Sequence, residues 1–265
     1  MHAGFCGFVT KFYLSKVVQR LTLKHSGNPH SNLTQDRYAQ VENMTNKIDF
    51  KKTLDEIQKL VHSELKADGF KKKGRTHNKT LENGIIQVVN FQMAKYEFDS
   101  VVEIPGIRTN LYGNFAVNIG VFVPELYEST FKQKPKAFIQ EYDCEIRERI
   151  NDKASEKEYW FSLGADYPKT AEFIIGKLKS DVKKWFERFN DRRKIVSELT
   201  ESKEIIFSPR EKLCGAIIEL EIDRKNGERI FNEYYNSVED GKPHKNYVME
   251  LAKQLNIKLT EKTSA

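Results

Sequence analysis

The stretch Gly69-Phe70-Lys71-Lys72-Lys73-Gly74-Arg75-Thr76-His77-Asn78 is followed, after Asn83-Gly84, by Ile85-Ile86-Gln87-Val88-Val89-Asn90-Phe91-Gln92. A glycine at position 69 is a typical helix stop, and an Asn-Gly pair between alternating segments is the strongest short-range signal for a β-hairpin. The second segment is rich in β-branched residues, which favour strands. The stretch therefore predicts a helix that ends at Gly69 and leads directly into a hairpin.

The residues before this stretch show a helical pattern. A helix from about Asp49 to Gly69 is predicted, because apolar side chains recur there at spacings of three and four. The stripe consists of Phe50, Leu54, Ile57, Val61 and Leu65. Each side chain contributes roughly 1.5 to 3 kcal/mol when it is fully buried, so the stripe must pack against an apolar surface.

A sheet is the expected partner of this helix. The predicted strands are Phe70 to Lys79, Ile85 to Tyr96, Asn114 to Val123, Asp143 to Ile150 and Glu158 to Leu163. Few helices separate them, which favours an antiparallel sheet. A second helix, from Pro168 to Phe189, is expected to cover the same sheet face. The predicted fold class is α+β: a mostly antiparallel sheet with helices packed on one face, plus a short C-terminal helical extension.

The chain divides into three segments. Residues 1–43 show no clear periodicity and are expected to lie outside the fold, with Met44 as the expected true start. The competing interpretation is a basic amphipathic targeting helix between residues 5 and 21. Residues 44–200 are predicted to form the α+β domain. Residues 201–265 are predicted to form the helical extension, whose helices are separated at Asn226-Gly227 and Gly241-Lys242-Pro243.

The register of the hairpin decides which side chains share a sheet face. A two-residue turn at Asn83-Gly84 would place His77 opposite Asn90 and Arg75 opposite Gln92. Side chains alternate between the two faces of a strand, so this register fixes both faces. One face would carry Lys71, Lys73, Arg75 and His77 together with Ile86, Val88, Asn90 and Gln92.

Two later strands extend this polar face. In the third strand the odd-numbered residues from Phe115 to Val123 are apolar and predict the core face, which leaves Asn118 on the other side. In the fourth strand arginines alternate with Cys144 and Ile146, so Cys144 is expected to be buried and unreactive. The candidate ligand site consists of Arg75, His77, Asn90, Gln92, Asn118, Arg147 and Arg149.

These residue types suit an anionic or amide-bearing ligand, because Arg offers paired planar donors and Asn and Gln add orientation. The competing interpretation is a solvated sheet face whose arginines pair with carboxylates such as Glu145 and Glu148. Trp160 and Trp185 could stack on a ligand, but aromatic residues within an amphipathic pattern favour core positions.

Composition limits the function classes. A hydrophobic fraction of 39% in 265 residues is typical of a soluble globular protein with one main domain. The 44 Lys and Arg are interspersed with 38 Asp and Glu, which disfavours a nucleic-acid polymer binder. Cys6, Cys144 and Cys214 are odd in number and in no metal-binding spacing, which favours a reduced cytoplasmic compartment and predicts no metal or cofactor. No apolar run reaches the roughly 20 residues of a membrane span.

Several motifs in order resemble a bacterial domain-of-unknown-function family, numbered 4304. They begin with the stretch from Gly69 to Thr76 and with residues 86–92, and continue with residues 115–124, 144–150 and 159–161. The similarity covers about residues 50–189. It implies a helix followed by a sheet and brings no activity, cofactor or catalytic residues.

The sequence favours a non-catalytic binding module for a protein partner or small ligand, such as an adaptor or immunity-type protein. It contains no G-x-S-x-G, H-E-x-x-H, P-loop or G-x-G-x-x-G motif. An enzyme that uses the polar face is the first alternative, because catalytic groups meet in space and not in sequence. Weak nucleic-acid binding through Lys71, Lys73 and Arg75 is the second.

Overall fold

The computed structural model describes residues 48–94, 111–151, 159–201 and 210–260. The predictions on residues 1–43, on Met44 and on Cys6 lie outside the described residues, as do the ends of two predicted strands at 95–96 and 158.

The first helix, α1, spans Phe50–Ala67. The Asp49 side chain caps it by accepting a hydrogen bond of 3.0 Å from the backbone N–H of Lys52. The chain leaves the helix through Gly69, whose φ of +89° is strained for residues with a side chain. The predicted helix is therefore confirmed at both ends.

Within the described ranges, six strands form one antiparallel sheet in the order β1-β2-β3-β4-β5, and β6 pairs with β4. The strands are β1 (Lys71–Lys73), β2 (Thr76–Thr80), β3 (Ile86–Met93), β4 (Asn114–Phe122), β5 (Ile146–Arg149) and β6 (Phe161–Ser162). Each neighbouring pair is antiparallel, as predicted.

The single strand predicted from Phe70 to Lys79 is wrong. The chain reverses at Gly74 and Arg75, so that Lys73 pairs with Thr76 and the segment becomes the hairpin β1-β2. The basic run therefore ends at a turn, and residues on its two sides no longer follow one alternation of faces.

The predicted register between β2 and β3 is also wrong, by one residue. Leu81 donates to the carbonyl of Ile85 at 2.8 Å and accepts from the N–H of Gly84 at 3.0 Å, which makes a three-residue loop. Only Gly84 has a positive φ there, at +83°, whereas a two-residue type I′ turn needs positive φ at both positions. His77 consequently pairs with Val89, not with Asn90.

Most of the described helices cover one face of the sheet, which confirms the α+β fold. The remaining helices of the described residues are α2 (Pro124–Phe131), a 3-10 turn (Glu141–Asp143), α3 (Tyr167–Lys177), a π-helical turn (Leu178–Val182), α4 (Lys183–Arg188), α5 (Arg192–Glu201), α6 (Glu211–Ile222), α7 (Arg224–Ser237) and α8 (Pro243–Gln254). Apolar residues of α1, α3 and α4 form one cluster with Val89, Val117 and Ile119 of the sheet, and buried residues of α5 to α8 belong to the same cluster. The boundary predicted near residue 200 adjoins residues 202–209, which are not described, and stays a prediction.

The helix break predicted at Asn226-Gly227 is wrong, because both residues lie inside α7. Asp223 ends α6 and caps α7, its carboxylate accepting from the N–H of Asn226 at 3.1 Å. Gly227 is needed for packing: a Cβ at this position would lie 2.6 Å from the backbone nitrogen of Leu220. The glycine thus lets α6 and α7 approach closely instead of separating helices.

The two faces of the sheet have different surroundings. We call the helix-covered side the core face; it carries His77, Val89 and Ile119. We call the other side the open face. A small second cluster covers part of the open face and contains Val88, Phe122, Tyr127, Ile139 and Cys144. The rest of the open face carries polar side chains.

Candidate functional site

Five polar residues lie in register across five strands on the open face. Lys73 pairs with Thr76, Thr76 with Asn90, Asn90 with Asn118, and Asn118 with Arg149. We call these five residues the polar row. Because neighbouring strands lie about 4.8 Å apart, the row extends over about 19 Å. It places a cation at each end and amides in the middle.

The Thr76 hydroxyl fixes one half of the row. It accepts a hydrogen bond of 2.8 Å from Asn90 Nδ2 and donates one of 2.8 Å to Gln140 Oε1. Thr76 is buried, whereas Asn90 is half-buried. The described residues donate no hydrogen bond to Asn90 Oδ1, so the amide is held in one orientation with an acceptor left for a ligand.

Asn118 fixes the other half. Its Oδ1 accepts from Arg149 Nε at 2.9 Å, and its Nδ2 donates to Gln92 Oε1 at 3.0 Å. Asn118 is only 4% exposed, so both of its polar groups are committed to neighbours within the protein. This pair of bonds sets the direction in which the guanidinium projects.

The Arg149 guanidinium stacks on an aromatic ring. Its central carbon lies 5.0 Å from the centre of the Trp160 ring, and both side chains are half-buried. Such stacking holds Arg flat and leaves its edge available for hydrogen bonds. Among the residues that the structure describes, Arg149 forms no ion pair and its terminal nitrogens have no acceptor. At the other end of the row, Lys73 Nζ lies 5.9 Å from the Phe138 ring centre.

Arg147 lies on the same face but not in the row. It pairs with Gly120, two residues from Asn118 along β4. Its guanidinium forms a 3.5 Å ion pair with Glu141. The carboxylates expected to pair with these arginines have other positions: Glu145 lies 3.8 Å from Arg210 instead. The prediction that both arginines of β5 share the face of Asn90 is confirmed.

Arg75 and His77 lie on the core face, so the prediction that they share a face with Asn90 and Gln92 is wrong. The physical reason is the three-residue loop, which shifts β2 by one residue and exchanges its faces. Arg75 points to the first helix, where its Nη2 lies 3.8 Å from Asp55. His77 is fully buried, and its ring centre lies 5.3 Å from that of His62.

Burial keeps His77 neutral. Desolvation, with help from the nearby Lys72 and His62, lowers the pKa of His77 to about 4. Desolvation and the same lysine also lower the pKa of His62. Within the described ranges neither ring nitrogen of His77 has a hydrogen-bond partner. The pair is therefore an acid-sensitive part of the core.

The other predicted chemical groups can be placed as follows. Cys144 is buried, as predicted, and desolvation raises its pKa well above the usual value. Trp185 belongs to the core, also as predicted, whereas Trp160 is half-buried against Arg149. No group of three or more His, Cys, Asp or Glu side chains in the described part could hold a metal ion. Helices long and apolar enough to cross a membrane are likewise missing from these residues.

The sequence interpretation missed two members of the network. Strand alternation places Thr76 on the open face once the loop length is known. The predicted register puts Thr76 on the opposite face. Gln140 lies 64 positions from Thr76 in a segment outside the sheet, and no spacing in the sequence connects them.

Residues 61–188 match the model of a family described as a domain of unknown function, DUF4304. The match confirms the resemblance noted in the sequence. It begins within α1 and ends with α4, so it includes the whole sheet and every residue of the polar row. No curated protein and no solved structure matches this chain.

Proposed function

We propose that this chain, whose residues 61–188 belong to the DUF4304 family, is a non-catalytic binding module that holds a carboxylate-bearing peptide or small ligand on its polar row. The observation that carries the proposal is the Arg149 guanidinium, which is oriented by Asn118 and stacked on Trp160, with no acceptor among the described residues for its terminal nitrogens.

The polar row carries groups that complement the carboxylate and the amide N–H at the C-terminal end of a peptide. Arg149 presents two terminal nitrogens, a planar pair that matches the two oxygens of a carboxylate. Asn90 Oδ1 presents an acceptor for an amide N–H two strands away, at about 10 Å by the spacing of strands. Lys73 adds a second positive charge at the far end. A ligand with a carboxylate and an amide N–H would satisfy both ends of such an arrangement.

Pre-organisation supports binding over catalysis. Holding Arg149 and Asn90 through Asn118 and Thr76 reduces the conformational entropy that a ligand would otherwise have to remove. The row contains no histidine and no carboxylate, since His77 lies on the core face. An enzyme that relied on these residues would lack a general base.

Nucleic-acid binding has less support. Only Lys71 and Lys73 of the basic run lie on the open face, because Lys72 pairs with His77 and Arg75 contacts Asp55. Two exposed lysines release few counterions on binding a polyanion.

An adaptor or immunity-type role in the cytoplasm belongs to this proposal. A protein partner whose C-terminal or side-chain carboxylate enters the polar row would fit it. Cys144 and Cys214 are free thiols, which agrees with a reducing compartment.

Trp160 provides a direct test. Because the chain has 2 tryptophans, a Trp185→Phe background leaves Trp160 as the sole indole fluorophore beside Arg149. The probe is a random tetrapeptide mixture with free carboxyl ends, compared with the same mixture amidated. We expect the free-acid mixture to change the Trp160 emission and the amidated one to change it at least tenfold less at equal concentration.

Two arginine variants complete the test. Arg149→Gln should abolish the response, whereas Arg147→Gln, on the same face and already paired with Glu141, should retain it. Equal responses to the two peptide mixtures, equal losses in the two variants, or no response in the parent protein would contradict the proposal.

A further inference from the structure

A cavity opens on the core face, away from the polar row. It has a volume of about 550 Å³ and lies between the end of α1, the loop end of the β2-β3 hairpin and the start of α4. This volume is within the range of roughly 300 to 1,000 Å³ that holds small molecules in proteins. Its apolar lining consists of Leu65, Phe70, Leu81, Leu178, Val182 and Phe186.

A buried amide lines this cavity. Gln87 lies on the core face of β3, paired with Lys79 and Val121, and is only 7% exposed. Its side chain makes no hydrogen bond with any residue that the structure describes. Because Gln87 lines the cavity, its amide is available to bind a polar group that enters there.

A lysine lies beside this amide. Lys79, the cross-strand neighbour of Gln87, is half-buried, and its Nζ lies 5.8 Å from the Phe70 ring centre. In the described part of the chain it has no carboxylate partner. The acidic side chains of the lining, Asp68, Glu82 and Glu187, are all exposed at the rim. The charge closest to the apolar lining is thus positive.

The wall opposite the hairpin contains the π-helical turn. Leu178 and Val182, its first and last residues, both line the cavity. Single π turns within helices are rare and occur often at functional sites. Here the turn interrupts the run from α3 to α4 at the position where the helix wall meets the cavity.

We infer that this cavity binds an aliphatic or aryl carboxylic acid, with the carboxylate on Lys79 and Gln87 and the apolar body against Phe70 and Phe186. Their rings, 6.2 Å apart, provide an apolar surface for an acyl chain or an aromatic ring. Gln87 Nε2 and Lys79 Nζ both donate hydrogen bonds, so an acid is favoured over an amine of the same length.

The experiment is calorimetric titration of the full chain with octanoate, and with octylamine as the probe of opposite charge. We expect octanoate to bind and octylamine to bind at least tenfold more weakly. Lys79→Met and Gln87→Leu preserve side-chain volume and should each weaken octanoate binding at least tenfold. Lys71→Met removes a lysine from the open face of the neighbouring strand and should leave binding unchanged.

Two readouts separate this inference from the polar row and from misfolding. Octanoate has no amide N–H for Asn90 Oδ1, so its binding in the cavity should keep wild-type affinity in Arg149→Gln. Lys79 is partly solvent-accessible, so Lys79→Met is expected to fold even if Gln87→Leu does not. The inference is overturned if octanoate does not bind, if octylamine binds equally well, or if folded Lys79→Met retains wild-type affinity.

Discussion

The polar row on the open face and the buried polar residues of the core face differ in their hydrogen bonding. On the open face, Thr76 and Asn118 are buried but fully hydrogen-bonded, and they orient Asn90 and Arg149. On the core face, both ring nitrogens of His77 are buried without a hydrogen-bond partner among the described residues, and the buried Gln87 lines the cavity. The protein's own hydrogen bonds therefore fix the orientation of the polar row. The core face instead keeps a buried histidine, unpaired within the described ranges, whose pKa is lowered by burial.

The largest effect should come from the apolar part of the core face. Phe115 is fully buried and its ring stacks on Phe91 with centres 6.4 Å apart. Phe115→Ala should lower the free energy of unfolding by about 3 to 5 kcal/mol, because it leaves a cavity in a packed interior. Urea denaturation measures this value. Lys71→Ala on the open face is the control and should stay within about 0.5 kcal/mol of wild type; a similar loss in both variants would contradict the assignment of faces.

Acid should lower the free energy of unfolding through protonation of His77 on the core face. Its pKa is about 4 in the folded protein and 6.5 in the unfolded chain, so the unfolded state binds the proton more tightly. The stability that neutral His77 contributes is complete above pH 6.5 and is lost as the pH falls through 4, by about 3 kcal/mol. Denaturant unfolding at several pH values between 7 and 4 should show a smaller loss of unfolding free energy in His77→Leu than in the wild type. An unchanged pH dependence in this variant would show that His77 does not titrate in this way.

Sequence reasoning succeeded where periodicity alone was decisive. The stripe from Leu54 to Leu65 and the alternation in β4 each have one apolar face, so helix, strand and core face followed without knowledge of partners. The register of β2 depended on the length of one loop, and a single extra residue exchanged the faces of His77 and Thr76. The contact between Gln140 and Thr76 arises only in the folded chain.

The hydrogen-bond network of the open face should have an intermediate effect. Asn118→Leu removes the acceptor of Arg149 Nε and the donor to Gln92, so we expect a loss of about 1 to 3 kcal/mol in unfolding free energy. Gln92→Ala removes an exposed partner of the same amide and should cost less than about 1 kcal/mol. If thermal or urea unfolding ranks the two variants in the reverse order, the network does not depend on Asn118.

The smallest effect concerns polyanions. Binding to a single-stranded oligonucleotide should be weak. A plot of the logarithm of the association constant against the logarithm of salt concentration should have a slope no steeper than about −2, because only Lys71 and Lys73 of the basic run face the same side. Fluorescence anisotropy at several salt concentrations gives the slope. A steep slope that decreases in Lys71→Ala/Lys73→Ala would favour a nucleic-acid interface over the peptide site.

The central claim is that the polar row, and not the core-face cavity, receives a peptide carboxylate. Nitrogen-15 NMR reports it directly through the side-chain signals of Arg149 Nε and Asn118 Nδ2 on one face and Gln87 Nε2 on the other. During titration with the free-acid tetrapeptide mixture, we predict progressive shifts of the Arg149 and Asn118 signals and none at Gln87. Shifts confined to Gln87, or no shift in the row at saturating peptide, would contradict the account.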